Sequence, residues 1–87
     1  MGRDFSFRTR HDSDYDNELP FIISRHNKLI PYSEHLTFTQ LQRKIISICK
    51  EDDGSQKWSI GKLEYLAVLA YVLQYCQYDN EVYMDYN

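Results

Sequence analysis

Glycine, proline and cysteine are all scarce in this chain, and no apolar run is long enough to cross a membrane. Only three glycines, two prolines and two cysteines occur among 87 residues. The glycines, at positions 2, 54 and 61, form no phosphate-binding loop. The longest apolar run, residues 65–73, is far shorter than the roughly 20 residues that a membrane-spanning helix needs. The sequence therefore predicts neither a nucleotide-binding loop nor a transmembrane segment.

Cysteine and histidine offer little to a metal or to a catalytic mechanism. Cys49 and Cys76 each fall in an apolar helical pattern, which predicts buried free thiols that are poor nucleophiles. His11, His26 and His35 show none of the spacings that are typical of zinc sites. We therefore expect no cofactor, no metal and no enzymatic activity.

The amino-terminal segment is polar and charged. The run MGRDFSFRTRHDSD lacks the apolar stretch of a secretory signal, and nothing else in the sequence indicates export. A cytoplasmic location is therefore expected. The length suits one small domain with a modest core, and we expect residues 1–87 to form it.

Acidic residues outnumber basic ones, and the two signs are unevenly distributed. The formal net charge is −3, and no Lys or Arg follows Lys62. Because nucleic-acid binding needs clustered cations, this balance argues against a general nucleic-acid binder. The carboxylates concentrate in two stretches that we expect to steer a protein partner. They are Asp12, Asp14, Asp16 and Glu18 in the first stretch, and Asp79, Glu81 and Asp85 in the second.

The first acidic stretch has the D-x-D-x-D spacing of a calcium-binding loop. The rest of that pattern is missing, because Asn17 stands where the turn glycine belongs and Ile23 where a bidentate glutamate is needed. A solvated acidic loop without a metal is therefore the favoured interpretation.

Two helices are the best-defined elements. Thr37 and Gln40 have the spacing of a capping box, and apolar residues then recur at helical intervals. After the polar turn EDDGSQK, Ser59 has the position of a second N-cap. Because the connection is short, the sequence predicts an antiparallel helical hairpin over about 38–51 and about 60–78.

The predicted β content is small and lies before the helices. Residues 4–10 alternate apolar and polar side chains, which is typical of a short half-buried strand. Apolar residues on both sides of positions 26–27 favour a hairpin over about 20–32. Residues 82–84 fit either a short strand or an extension of the second helix. The expected fold class is therefore α+β and dominated by helix.

The second helix has no coherent polar side. Between Leu63 and Cys76, apolar and aromatic residues point in every direction around a 3.6-residue wheel. Such a helix must be enclosed by its own fold or by another chain, and tyrosine is enriched at interfaces. We therefore expect a protein-binding module of the kind typical of small accessory regulators or inhibitors, including phage-type ones, with homodimerisation as one component. The expected contact residues are Tyr65, Leu69, Tyr71, Val72, Tyr75, Tyr78 and Tyr83.

Three alternatives stay open. The tyrosines could instead cover the edge of the core in a small domain. Basic and aromatic residues could bind nucleic acid by charge and stacking, namely Arg3, Phe5, Phe7, Arg8, Arg10, Arg43 and Lys44. Conversely, the two acidic stretches could mimic nucleic acid in a basic groove of a target protein.

Overall fold

The computed structural model describes residues 5–9, 17–24, 27–51, 58–76 and 81–86. The strands of this part are β1 (Phe5–Thr9), β2 (Asn17–Glu18), β3 (Ser33–Thr37) and β4 (Glu81–Tyr86). The helices are α1 (Phe38–Lys50) and α2 (Ile60–Leu73), which follow β3 and precede β4. The four strands form one antiparallel sheet in the order β2-β1-β4-β3.

The prediction of a helix-dominated fold is wrong. The fold is α+β, with a four-stranded antiparallel sheet as well as the two helices. The hairpin predicted over about 20–32 is also wrong, because residues 20–24 and 27–32 have no strand. The chain enters β3 only at Ser33, and β3 pairs with β4, which follows both helices, rather than with the residues just before it.

The centre of the sheet joins the two ends of the described chain. β4 lies between β1 and β3, and in its register with β1 Phe5 is opposite Tyr86 and Thr9 is opposite Val82. Pattern rules for hairpins search for strands that are close in sequence. The pairs β1–β4 and β3–β4 instead join segments that both helices separate in the sequence, whereas β1 and β2 are close together in the chain.

Alternation along the strands divides the sheet into a buried and an open face. Phe5, Phe7 and Thr9 of β1 are buried, whereas Ser6 and Arg8 between them point the other way. The predicted strand over 4–10 is thus present as β1. The core that packs on the buried face comprises Phe5, Phe7, Ile23, Ile30, Leu36, Leu41, Ile48, Val68, Leu69, Val72, Cys76, Val82, Met84 and Tyr86.

Both helices begin at the caps that the sequence predicts. The Thr37 Oγ1 accepts a hydrogen bond from the Gln40 amide at 3.3 Å, and the Gln40 Oε1 accepts one from the Thr37 amide at 2.9 Å. The Ser59 Oγ accepts from the Lys62 amide at 3.2 Å. α2 ends earlier than expected, at Leu73.

Two side-chain contacts show that α1 and α2 are antiparallel. The Lys44 Nζ donates to the Tyr65 hydroxyl at 3.2 Å. About two turns further on, at the C-cap of α1, the Glu51 carboxylate lies 3.2 Å from the Lys62 Nζ. Lys62 lies before Tyr65 in α2, so the contacts run in opposite directions along the two helices.

The segment before β3 is attached to α2 by Asn27. This side chain is buried, and its Nδ2 donates to the Gly61 carbonyl at 2.9 Å and to a Glu64 carboxylate oxygen at 3.1 Å. The second Glu64 oxygen accepts from the Ser24 amide at 2.7 Å. Asn27 therefore joins the segment to α2, where the predicted hairpin would have used it in a turn.

The two cysteines differ in environment. Cys76 is buried and Cys49 is exposed, and both are free thiols. The expectation of two buried thiols is therefore wrong for Cys49. Its position on α1 falls on the outer side of the helix, beside the exposed Lys50.

Within the described ranges, no helix has both the length and the apolar character needed to cross a membrane.

Candidate protein-binding surfaces

One side of α2 is exposed and apolar along its whole length. Its exposed residues are Ile60, Leu63, Ala67 and Ala70, which recur at intervals of three and four and therefore line one face of the helix. Ile60 is 75% exposed and Leu63 is 49% exposed. We call these four residues the outer stripe. The stripe ends at Gln74, an exposed polar residue that follows the last helical position.

The outer stripe faces away from a side of α2 that is already completely packed. Val68, Leu69 and Val72 have 0% exposure and belong to the core. Leu66 and Leu73 are half-buried between the packed side and the stripe. The fold therefore encloses one side of this helix and leaves another apolar side in contact with water.

The charged residues of α2 contribute little to its outer side, because they are bound to neighbouring elements. The Lys62 Nζ is 3.2 Å from the Glu51 carboxylate and lies over the Trp58 ring, 5.4 Å from its centroid. Glu64 holds Ser24 and Asn27 through its two carboxylate oxygens. These contacts draw both charges away from the outer stripe.

The tyrosine face predicted on α2 lies against the core edge. The rings of Tyr71 and Tyr75 are half-buried and meet Phe7 edge-on, with centroid distances of 5.8 and 4.9 Å. Tyr71 also meets Phe21 at 6.1 Å. The positions of Tyr71 and Tyr75 therefore agree with the alternative in which the tyrosines cover the edge of the core. Leu69 and Val72, predicted as contact residues, have no exposed surface at all.

A hydrogen bond joins the two tyrosines. Their hydroxyl oxygens are 3.3 Å apart. This hydrogen bond, helped by burial and by electrostatic interaction with Tyr71, raises the pKa of the Tyr75 hydroxyl. Of the other predicted contact residues, Tyr65 is half-buried beside Lys44, Tyr83 lies on the sheet, and Tyr78 is outside the described residues.

The open face of the sheet has a row of paired side chains at its centre. Tyr83 of β4 is opposite Arg8 of β1 and His35 of β3. The rings of His35 and Tyr83 stack, with centroids 4.2 Å apart and planes at 14°, and the Arg8 guanidinium lies 5.8 Å from the Tyr83 centroid. Cross-strand pairs of this kind stabilise a sheet.

Three carboxylates of the two acidic stretches lie on this open face. Glu18 and Asp85 are both in register with Ser6, one on each neighbouring strand. A Glu81 oxygen lies 3.6 Å from the His35 Nε2. Three of the predicted steering residues, Glu18, Glu81 and Asp85, are thus on one surface. The others, Asp12, Asp14, Asp16 and Asp79, lie outside the described residues.

The structure separates the residues of the predicted nucleic-acid site. Phe5 and Phe7 are core residues and cannot stack on bases, and Arg8 lies on the open face beside carboxylates. Arg43 is exposed on α1, while the Lys44 Nζ is 2.6 Å from a Glu34 oxygen. Arg3 and Arg10 lie outside the described residues.

The Tyr83 ring offers no open stacking platform in place of the two phenylalanines. One face of the Tyr83 ring is covered by His35, and Arg8 lies over the ring as well. Single-stranded nucleic acid binds best where the ring faces are free for successive bases. The Tyr83 ring therefore does not replace Phe5 and Phe7 as a surface for stacking bases.

Two further results bear on the class of this protein. In the part of the chain that the structure describes, no three His, Cys, Asp or Glu side chains lie close enough together to hold a metal ion. No protein-family model, no curated protein and no solved structure matches the chain. The function must therefore be inferred from the surfaces themselves.

The outer stripe was missed by the sequence interpretation, which assigned the contact to the tyrosine side of α2. The signal for it was present in the sequence. If the wheel is oriented so that Val68, Leu69 and Val72 face the core, then positions 60, 63, 67 and 70 point outward and none of them is polar. Aromatic content directed the prediction to the tyrosine side of α2, which is partly covered by the core, and not to the exposed stripe.

Proposed function

We propose that this chain is a non-enzymatic protein-binding module, an accessory regulator or inhibitor, and that it binds protein through the outer stripe of α2. The observation that supports this proposal is the exposed apolar side of a helix whose opposite side is completely packed. Removing apolar surface from water contributes about 25 cal/mol per Å². The stripe therefore supplies a driving force for association that the core does not use.

The spacing of the outer stripe suits a helix that packs lengthwise on a partner. Residues at i, i+3 and i+7 are the usual anchors when an amphipathic helix binds a groove or another helix. Ile60 and Leu63 provide bulk at one end of the stripe. Ala67 and Ala70 at the other end allow a partner backbone to approach closely.

The carboxylates on the open face have a different role in this proposal. Glu18, Glu81 and Asp85 lie on the side of the sheet opposite the helices, so they do not touch a partner that is bound to α2. Charges at such a distance raise the association rate of a basic partner more than they raise affinity. Their contribution is expected to fall as ionic strength rises.

Site-specific photocrosslinking tests whether the outer stripe contacts protein. A photoreactive phenylalanine analogue replaces Ile60 in cells of the source organism, and the matched control places the same analogue at Gln42, an exposed position of α1. We expect a protein adduct from position 60 and none of equal yield from position 42. Equal yields at both positions, or no protein adduct from position 60, would refute the proposal.

The acidic-mimic alternative has one supporting observation, which is that three carboxylates share the open face. It predicts that the E18K and D85K variants lose a basic protein partner, whereas variants of the outer stripe keep it. A pull-down with a nucleic-acid competitor distinguishes the two, since only a mimic competes with DNA or RNA for its target.

A further inference from the structure

We infer that the occupant of the outer stripe is a second copy of this chain, with the two α2 helices antiparallel across a two-fold axis at Ala67. This inference depends on the proposed function only for the assignment of the stripe as a binding surface. Three properties of α2 lead to it: the order of side-chain sizes, the charge at the helix ends, and the completeness of the core beneath.

The outer stripe has large side chains at its start and small ones after them. If a second α2 runs antiparallel with Ala67 opposite Ala67, Leu63 of one copy faces Ala70 of the other, and the same contact repeats across the axis. Large side chains then fill the space above small ones, as good packing requires. Ile60 faces Gln74, an exposed residue at the end of the stripe. Such an interface is isologous and closes after two copies.

The helix ends provide electrostatic complementarity in the same arrangement. α2 has no acidic residue in its first turn and no basic residue in its last turn. The Ser59 hydroxyl caps one end and the Gln74 amide donates to the Tyr71 carbonyl at the other, but no charged side chain in the terminal turns offsets the macrodipole. An antiparallel copy places the positive N-terminal end of one helix beside the negative C-terminal end of the other, at both ends at once.

The expected dimer is reversible. A helix of 14 residues is about 21 Å long, and a single pair of such helices covers less than the roughly 800 Å² per partner of a standard interface. Val68, Leu69 and Val72 are fully buried without any partner. The single chain thus has a complete core of its own, and association should depend on concentration.

Light scattering or sedimentation across a concentration series tests the dimer. We expect the mass of the wild-type protein to rise from 10.5 kDa toward twice that value. Ala67→Glu places two carboxylates face to face at the axis, so this variant should stay monomeric with an unchanged circular dichroism spectrum. The control, Gln42→Glu on α1, should associate like the wild type. A wild-type protein that stays monomeric, or an Ala67→Glu variant that associates normally, would overturn the inference.

Disulfide trapping tests the orientation independently, in a Cys49→Ser background that removes the exposed thiol. Ala67→Cys should form a crosslinked dimer rapidly, because the axis brings the two residues together. Ile60→Cys should not, because antiparallel pairing separates its two copies by about 20 Å and a disulfide needs its Cα atoms within about 7 Å. Crosslinking of both variants would show a parallel pair, and crosslinking of neither would show another interface.

The outcomes separate this inference from the proposed function. A monomer at all concentrations, together with a photocrosslink from position 60 to a different protein, refutes the homodimer and leaves the binding module. Absence of any protein adduct from position 60 refutes the binding module. A crosslink between two copies, lost in the Ala67→Glu variant, supports both.

Discussion

The two helices are nearly equal in length, with 13 and 14 residues, yet the sides that they expose to water differ in polarity. The exposed side of α1 is mostly polar, and Ile46 is its large apolar residue. It also has Lys50 in its last turn, which suits the helix dipole. α2 has the outer stripe and no basic residue at its end. Only α1 is arranged throughout as a surface helix of a small protein.

The difference shows that core formation does not account for all the apolar residues of α2. One side of the helix already completes the core through Val68, Leu69 and Val72. A polar outer side would fold equally well and would be more soluble, as α1 demonstrates within the same molecule. The outer stripe is therefore the surface on which we propose that association takes place.

The largest expected effects come from substitutions on the buried side of each helix. They test whether the buried sides of α1 and α2 contribute equally to stability. Leu41 of α1 and Leu69 of α2 are both 0% exposed. Leu41→Ala and Leu69→Ala should each lower the free energy of unfolding by about 2–5 kcal/mol, because each leaves a cavity in the core. Urea denaturation followed by circular dichroism measures both values at a concentration where the protein is monomeric.

Variants on the outer sides are the matched control for this pair. Gln42→Ala on α1 and Ala70→Ser on α2 should each change the free energy of unfolding by less than about 0.5 kcal/mol. A large loss from Ala70→Ser in the monomer would mean that the outer stripe contributes to folding, and the contrast between the two helices would then disappear.

The next effect concerns the attachment of α2 to the segment before β3, for which α1 has no counterpart among the described residues. Asn27→Ala removes the bonds to the Gly61 carbonyl and to Glu64. It also leaves the Leu29 amide without its 3.0 Å bond to the Asn27 Oδ1. We expect a loss of about 1–3 kcal/mol from unsatisfied buried groups. Urea denaturation checks this value, and Lys28→Ala, at an exposed position, should be nearly neutral.

The sequence predicts a structural feature well when the residues that form it lie close together in the chain, and poorly when they lie far apart. The caps at Thr37 and Ser59 are local patterns, and both form. β1 alternates, and it is found where the alternation lies. β3 reads SEHLT, in which only Leu36 is both apolar and buried, so it carries little of a strand signal. Its place in the sheet comes from β4, which is far away in the sequence.

The sequence interpretation selected α2 as the candidate binding helix but did not include the exposed stripe among its contact residues. Composition alone shows that α2 lacks a polar flank. Which side remains exposed depends on packing against distant segments, for example the contacts of Tyr71 and Tyr75 with Phe7, a residue near the other end of the chain. Likewise, the open face unites Glu18 with Asp85 only because β1 lies between their strands. Such non-local pairings leave no periodic signal in the sequence.

A substitution in the first turn of α2 is expected to have a smaller effect, and this one should increase the stability. Gly61 is the second residue of this helix, whereas α1 has no glycine. A Cβ at this position would lie 3.5 Å from the Asn27 Oδ1, which is an ordinary van der Waals contact. Gly61→Ala should therefore raise the free energy of unfolding by roughly 0.4–1 kcal/mol, since it restricts the unfolded chain. A fall in the urea midpoint would mean that Asn27 has no room to keep its hydrogen bonds.

The smallest effect concerns Lys44, which links the two helices. Burial alone would lower the pKa of Lys44, but its hydrogen bonds to Glu34 and Tyr65 outweigh burial and raise the pKa above the ordinary value of 10.5. A group whose pKa is raised on folding stabilises fully below its unfolded pKa and loses that stabilisation as pH rises through its folded pKa. The stability difference between the wild type and Lys44→Met should therefore be constant near neutral pH and should shrink above about pH 10.5.

Urea denaturation of both proteins at neutral and alkaline pH measures the shrinking difference for Lys44. The effect is small because the Lys44 side chain is 36% exposed and water weakens its pairing. Tyr75 also has a raised pKa and titrates in the same alkaline range. It is present in both proteins, so its contribution cancels from the difference. A stability difference that stays constant at alkaline pH would show that the charge of Lys44 plays no part in joining α1 to α2.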